Sequence, residues 1–394
     1  MKSQRETTEE GMAMTQRMFG LFLVVLFLAL APAAMASNTW YVDGVNGNDN
    51  NNCKSPQTAC KTIGHAISLA SSGDSIMVAA ATYSESLSIG FSLKVIGSGA
   101  ATTIVDGGGG NQVVAISKAT HVTLSGLTIR NGSAPLGGGI GNSGTLTIID
   151  STVSGNTAQG SCGKYCLPAG GGIYNRGRLT VSHSTISGNN GAWGGGGILV
   201  VKSGTLVVNN STISGNSSRY GGGMCIFPES GTVTVNNSTI SGNSSYVGSG
   251  AFIDGGTVTV NNSTISGNNG RGIDLERGTV TLQNTIVANT TSGGDCYGTI
   301  TSNGYNLSSD GTCNFNGPGD LNNTDPKLGT LGNHGGPTQT IPLLAGSPAI
   351  DAGNPGGCTD GNGHLLKTDQ RGYPRPDKED KSGCDMGAYE RQED

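Results

Sequence analysis

The chain has 394 residues, of which 68 are glycine, roughly 17% against a usual level of about 7%. Its formal net charge is −5 and only 12% of residues are charged, so there is no basic surface for nucleic acid and too little repulsion to keep the chain unfolded. Aromatics make up 5%, and no three-residue glycine period runs through the chain. Collagen is therefore excluded, and the core must be assembled from many small, repeated apolar contacts.

The first element in chain order is an apolar run, Leu21 to Leu30, preceded by Arg17 and followed by Ala34-Met35-Ala36. A basic flank, a short apolar stretch and a small-x-small site form a secretory signal pattern, so residues 1–36 are read as a signal peptide removed on export. The alternative is an uncleaved anchor helix, but the run is short for a membrane span and polar Ser37-Asn38 follows at once.

Residues 37–118 are read as an N-terminal cap and first coils. Lys61 to Ala70 places Ile63, Ala66, Ile67 and Ala70 on one helical stripe, and Ser75 to Val78 and Leu93 to Ile96 have strand character. A helix laid over the first turn would cover the open end of a coil.

Residues 119–300 carry an internal repeat. Patterns such as Gly-Thr-Val-Thr-Val begin at Gly144, Gly177, Gly204, Gly231, Gly256 and Gly278, 22 to 33 residues apart. Ile186, Ile213, Ile240 and Ile265 each follow at a fixed offset inside Ser-Thr-Ile-Ser-Gly-Asn. Each copy divides into three short β-favouring stretches joined at Asn-Asn and Gly-Asn corners, where the left-handed backbone costs least. Three strands and no helix in about 25 residues make one turn of a parallel β-helix.

This reading predicts an inward column of Leu146, Leu179, Leu206, Val233, Val258 and Val280, with Ile148, Val181, Val208, Val235, Val260 and Leu282 beside it. Asn209, Asn236 and Asn261 should stack at one corner and hydrogen-bond along the coil axis. A leucine-rich repeat lacks its LxxLxLxxN framework here, a propeller needs a longer period, and the calcium-binding nonapeptide roll lacks its aspartates.

Eight of nine cysteines fall into short-range pairs, Cys53–Cys60, Cys162–Cys166, Cys296–Cys313 and Cys358–Cys384. Cys225 is left over in an apolar stretch and is read as a buried, inert thiol. No spacing fits a zinc site.

Three segments carry family resemblances. Thr39-Trp40-Tyr41-Val42-Asp43, Lys61-Thr62-Ile63, Gly73-Asp74 and Thr82-Tyr83 resemble the N-terminal segment of secreted pectin-lyase-like proteins, which implies a right-handed coil. The Gly-Gly-Gly-Ile stretches at 137–140, 170–173 and 195–198 are similar to polymorphic outer-membrane protein repeats. Residues 301–394 form a C-terminal segment. Within it, Ser347-Pro348-Ala349-Ile350-Asp351-Ala352-Gly353, Asp369-Gln370-Arg371-Gly372 and Cys384-Asp385-Met386-Gly387-Ala388-Tyr389-Glu390 closely resemble the bacterial choice-of-anchor Q domain. Such proteins usually continue into a sorting signal, so an end at Asp394 implies release from the cell. Asp369, Arg371, Asp385 and Glu390 are read as a salt-bridged, disulfide-braced cap.

The expected fold class is thus an all-β, right-handed parallel β-helix with three short strands per coil, an N-terminal helical cap and a C-terminal cap. One constellation suggests chemistry. Four residues before the first core position of successive copies stand Asn142, Asn175, Lys202, Glu229, Asp254 and Glu276. If no insertion intervenes, Glu229, Asp254 and Glu276 stack as an acidic column, with Asp274 nearby, compatible with a carboxylate pair or a cation site. The other reading is a solvated corner neutralised by Arg271 and Arg277. No cofactor or metal is assigned, and calcium at this column is the one alternative. Two functions remain open: a non-catalytic extracellular platform binding glycans or a cell-surface partner, and a polysaccharide lyase or hydrolase using the acidic column.

Overall fold

The computed structural model describes residues 37–159, the backbone at 161–162 and 166–167, and residues 169–377 and 383–392. The signal-peptide run and the side chains of the expected Cys162–Cys166 pair lie outside the described residues.

The apolar residues of each repeat face inward because strand side chains alternate, and each meets its counterpart one coil away. Leu146 pairs with Leu179, Leu179 with Leu206, Leu206 with Val233, Val233 with Val258 and Val258 with Val280, all parallel. Ile148, Val181, Val208, Val235, Val260 and Leu282 form the second column in the same ladders. These residues are buried, and burying each such side chain contributes about 1.5–3 kcal/mol.

Among the described residues, the strands gather into an 18-stranded long sheet, a ten-stranded sheet and a short five-stranded sheet. The long sheet holds two strands from most coils, such as Ile173–Asn175 and Arg178–Ser182. In two later coils these fuse into Ala251–Asn261 and Ile273–Gln283. The ten-stranded sheet carries the Thr-Ile-Ser strands, such as Thr185–Ser187 and Thr212–Ser214. The short sheet includes Asn190–Gly194, Ser217–Tyr220 and Ser244–Val247.

The corners follow from the residues placed there. Asp150, His183, Asn210, Asn237, Asn262 and Asn284 occupy one corner with φ between 47° and 52°. Gly215 and Gly242 turn the next corner at φ 63° and 65°. The expected amide stack is present: Asn236 Nδ2 donates to Asn209 Oδ1 at 3.0 Å and Asn261 Nδ2 to Asn236 Oδ1 at 2.9 Å. A deeper ladder runs through the Gly-Asn corner, where Asn156, Asn189, Asn216, Asn243 and Asn268 are buried. Each Nδ2 donates to the next Oδ1 at 2.9–3.0 Å.

At the N-terminal end, helix α1 (Ile63–Leu69) buries Ile63, Ala66 and Ile67 over the first coil. It is shorter than the Lys61–Ala70 stripe because Thr62 caps it, its hydroxyl accepting from His65 N at 3.2 Å. Disulfides join Cys53–Cys60, Cys296–Cys313 and Cys358–Cys384.

The C-terminal segment folds back over the ten-stranded sheet. Thr239 Oγ1 donates to Gln370 Oε1 at 2.6 Å, Gln370 Nε2 donates to Thr212 Oγ1 at 2.9 Å, and Ala388 N donates to Thr264 Oγ1 at 3.0 Å. Buried ion pairs Arg371–Asp369 and Arg375–Glu390 stiffen it. Thr212, Thr239 and Thr264 are therefore covered, while Thr152 and Thr185 of earlier coils stay partly open.

Candidate functional site

The expected acidic column does not form. The position that starts at Asn142 and Asn175 continues into Val200, Ile226, Ile253 and Leu275. The cause is the turn that follows: it takes four residues from Asn142 to Leu146, but seven from Ile226 to Val233 and five from Ile253 to Val258. Counting back a fixed four residues from the core therefore lands on different parts of the turn.

Lys202 and Glu229 lie in turns at φ 56° and 63°, and both are exposed. Asp254 pairs in register with Arg277, beyond a bulge that leaves Glu276 exposed. Arg277 grips Asp254 through Nε to Oδ1 at 2.6 Å and Nη2 to Oδ2 at 2.9 Å. Asp274 is buried, accepts from Arg271 Nη1 at 2.6 Å, and sits below Tyr297, whose ring centre is 3.9 Å from the Arg271 guanidinium.

Glu276 and Tyr297 border an open hollow of about 530 Å³ with Thr299. Among the described residues, the one grouping of metal-ligating atoms is Cys53, Cys60 and His65, and its two sulfurs are joined in a disulfide.

The outer face of the long sheet offers a different arrangement. Ala115, Gly141 and Tyr174 are successive partners in one outward column. The two small residues leave a trough of about 460 Å³, with Tyr174 as one wall and Gln112, Lys118, Ser143 and Arg176 around it. Gly141 is needed for this shape, since a Cβ there would meet Gln112 Nε2 at 2.6 Å. Gln112 is held by donating to Leu136 O and Gly137 O at 2.8 and 2.7 Å, and Arg176 Nε donates to Ser143 Oγ at 2.8 Å. Burial raises the Tyr174 phenol above its ordinary value.

The column continues from Tyr174 into Leu199, Cys225 and Phe252, which are buried although they face away from the coil interior. Tyr220 and Val247 of the short sheet pack over them. Burial pushes the Cys225 thiol well up, with the nearby Asp254 carboxylate as a second cause.

Above this apolar layer stands an aromatic ridge. Gly194 pairs with Tyr220 and Tyr220 with Val247, so the preceding residues Trp193, Arg219 and Tyr246 fall at one position of successive coils. The Arg219 guanidinium is 4.8 Å from the Trp193 ring centre and 5.7 Å from that of Tyr220. Tyr246 is 86% exposed. Sequence reasoning missed this ridge. Its signal was an aromatic or arginine placed just before the glycines of three repeats: Trp193 before Gly194, Arg219-Tyr220 before Gly221, and Tyr246-Val247 before Gly248.

Comparison with known proteins bears on the fold. The sequence model of the family described as "Right handed beta helix region" matches residues 65–291. Among solved structures, the chain is similar to pectate lyase Pel9A with a TM-score of 0.55 and 15% identity, covering 91% of this chain and 98% of that one. It is also similar to a rhamnogalacturonan lyase (TM-score 0.41, 12% identity, 79% and 96% covered). A third is the GH136 lacto-N-biosidase from Eubacterium ramulus (0.43, 14%, 72% and 61%). No curated protein matches the chain.

Proposed function

Because the chain belongs to the right-handed β-helix family, its sites stand on a rigid rod of stacked coils, and we propose that this rod is an extracellular, non-catalytic platform for glycan chains. The observation that carries the reading is the column of Trp193, Arg219 and Tyr246. Tyr246 is exposed and Trp193 half-buried above an apolar layer, where their rings offer flat faces that sugar rings can stack on, and a large ring held open to water usually marks an interaction site. The trough beside Tyr174 extends the same surface and adds hydrogen-bonding groups at Gln112, Ser143 and Arg176, with Lys118 at its edge. Many weak contacts over several coils suit an extended ligand.

Export rests on the Leu21–Leu30 run and on the three disulfides, which persist in oxidising compartments. Among the described residues, no helix is long and apolar enough to cross a membrane. The C-terminal segment, which resembles the choice-of-anchor Q domain over residues 325–390, forms part of this proposed platform.

The test is a glycan array probed with the exported protein and with Tyr246→Ala and Trp193→Ala variants. Retention by the wild type that both variants lose supports the platform. Retention unchanged in both variants overturns it.

A second reading, a polysaccharide lyase or hydrolase, is favoured by the hollow that Glu276 shares with Tyr297 and Thr299. It predicts release of sugar ends from a polysaccharide, abolished by Glu276→Gln.

A further inference from the structure

The second strand row of the long sheet carries a surface that neither site uses. On its outer side, Thr232, Thr257 and Thr279 form one column. Thr205 precedes Leu206 as Thr232 precedes Val233, and Leu206 pairs with Val233, so Thr205 extends this column by one coil. Val207, Thr234, Thr259 and Thr281 form the neighbouring column two residues along each strand. Seven of these eight positions are threonine, and the eighth keeps a β-branched side chain of the same shape.

The repeat distances of this array are set by the backbone: about 4.8 Å between strands and about 6.6 Å between alternate residues of one strand. β-branched side chains have restricted χ1 angles, so methyls and hydroxyls are ordered before any ligand arrives. Neither column carries a charge over these four coils, and the charged residues Glu229, Asp254, Glu276 and Arg277 stand in the segment just before them. The loop at Gly361 lies against the second column, beside the Thr234 methyl, and donates to Asn236 Oδ1 at 3.1 Å. Val207, Thr234, Thr259 and Thr281 are half-buried, while Thr232, Thr257 and Thr279 are exposed.

The ten-stranded sheet shows what such a lattice accepts. There one amide, that of Gln370, spans two rungs by accepting from Thr239 and donating to Thr212. The fitting ligand is neutral, donates and accepts, and repeats at the rung spacing.

We propose that the threonine array binds the surface of ice. Water oxygens on a face of ice form a fixed two-dimensional lattice with one repeat near the rung distance, and each can donate or accept, as a threonine hydroxyl can. One such hydrogen bond contributes only about 0.5–1.5 kcal/mol, which explains why like residues must be held in register over several coils. A dissolved, flexible chain has no fixed lattice, and a charged ligand finds no opposite charge on these columns. This surface is separate from the aromatic ridge, so the inference stands or falls independently of glycan binding.

The experiment uses the exported protein in supercooled buffer, recording freezing hysteresis and crystal shape, alongside retention on crystalline cellulose and chitin. The expected result is faceted crystals and measurable hysteresis, lost in Thr257→Tyr and Thr279→Tyr variants whose unfolding transitions match the wild type. A Val207→Thr variant, which removes no contact, should raise the hysteresis, and this arm stays informative where a tyrosine variant misfolds. Round crystals and no hysteresis from the wild type overturn the proposal. So does ice activity that the tyrosine variants retain. Retention on a crystalline polysaccharide that those variants lose, without ice activity, overturns it as well and assigns the face to a solid glycan.

Discussion

Asp254 and Arg277 meet across adjacent coils in a two-pronged ion pair, at a place where a uniform repeat would have put Glu276 beside Asp254. The Arg277 side chain is 66% exposed, so water screens the pair. Arg375 and Glu390 form the opposite case, fully enclosed, with Arg375 Nη1 also donating to Asn237 Oδ1 at 3.0 Å. Arg277→Ala should leave the melting temperature within error of the wild type. Arg375→Ala should cost about 3–5 kcal/mol, because it strands a buried carboxylate. Denaturant unfolding of the two variants measures the contrast, and equal effects would contradict it.

The asparagine ladder predicts a second asymmetry. Asn216 Nδ2 donates to Ile186 O and Asn243 Oδ1, and its Oδ1 accepts from Asn189 N and Nδ2. Asn216→Ala orphans these buried partners, at about 1–3 kcal/mol for each unsatisfied group. The same change at exposed Asn269, which donates to Ser244 Oγ at 3.4 Å, should cost far less. Paired urea titrations decide the point.

Asp385 sets the pH response of the C-terminal segment. Burial, and then the negative charge of Glu390, raise its carboxyl from 3.8 to about 7. Between those two values the folded chain keeps a proton that the unfolded chain has released. Stability therefore falls as pH rises from about 4 to about 7 and levels off above that. Asp385→Asn keeps an acceptor for only one of the amides of Asp351 and Arg391, which bind separate oxygens, so it carries a fixed, pH-independent cost while it removes the titration. The difference in melting temperature between wild type and variant should drift in favour of the variant across this range. A constant difference would sink the assignment.

Cys225 offers a simple probe of the satellite apolar layer. The thiol is buried and its ionisation is suppressed by desolvation, so a thiol reagent should label the native protein hardly at all at pH 8 and react fully in denaturant. Rapid labelling of the folded chain would show that the layer formed with Leu199 and Phe252 is open.

The coil itself was legible because its signal is redundant. Leu206, Val233 and Val258 keep their offset from Ile213, Ile240 and Ile265 in copy after copy, so small errors cannot move the register. The disulfides at Cys53, Cys296 and Cys358 were readable for a similar reason, since each has a near partner in sequence. The site was not legible. Glu229, Asp254 and Glu276 sit on the connection between the two strand rows of the long sheet, whose length changes between coils, and no periodicity fixes such a connection. Trp193, Arg219 and Tyr246 align only through the pairing of the short sheet, whose ladder shifts between Gly191 and Gly194. The C-terminal cover on Thr212 and Thr239 joins residues more than 120 positions apart, beyond the reach of local pattern.

That long reach imposes an order of events. Gln370 can grasp Thr212 and Thr239 only once both rungs are stacked, because neither alone offers the two hydroxyls its amide spans. The segment around Gln370 thus acts as a latch that closes only on a finished spool. A chain cut short before Gln370 would leave the tower wound but unfastened.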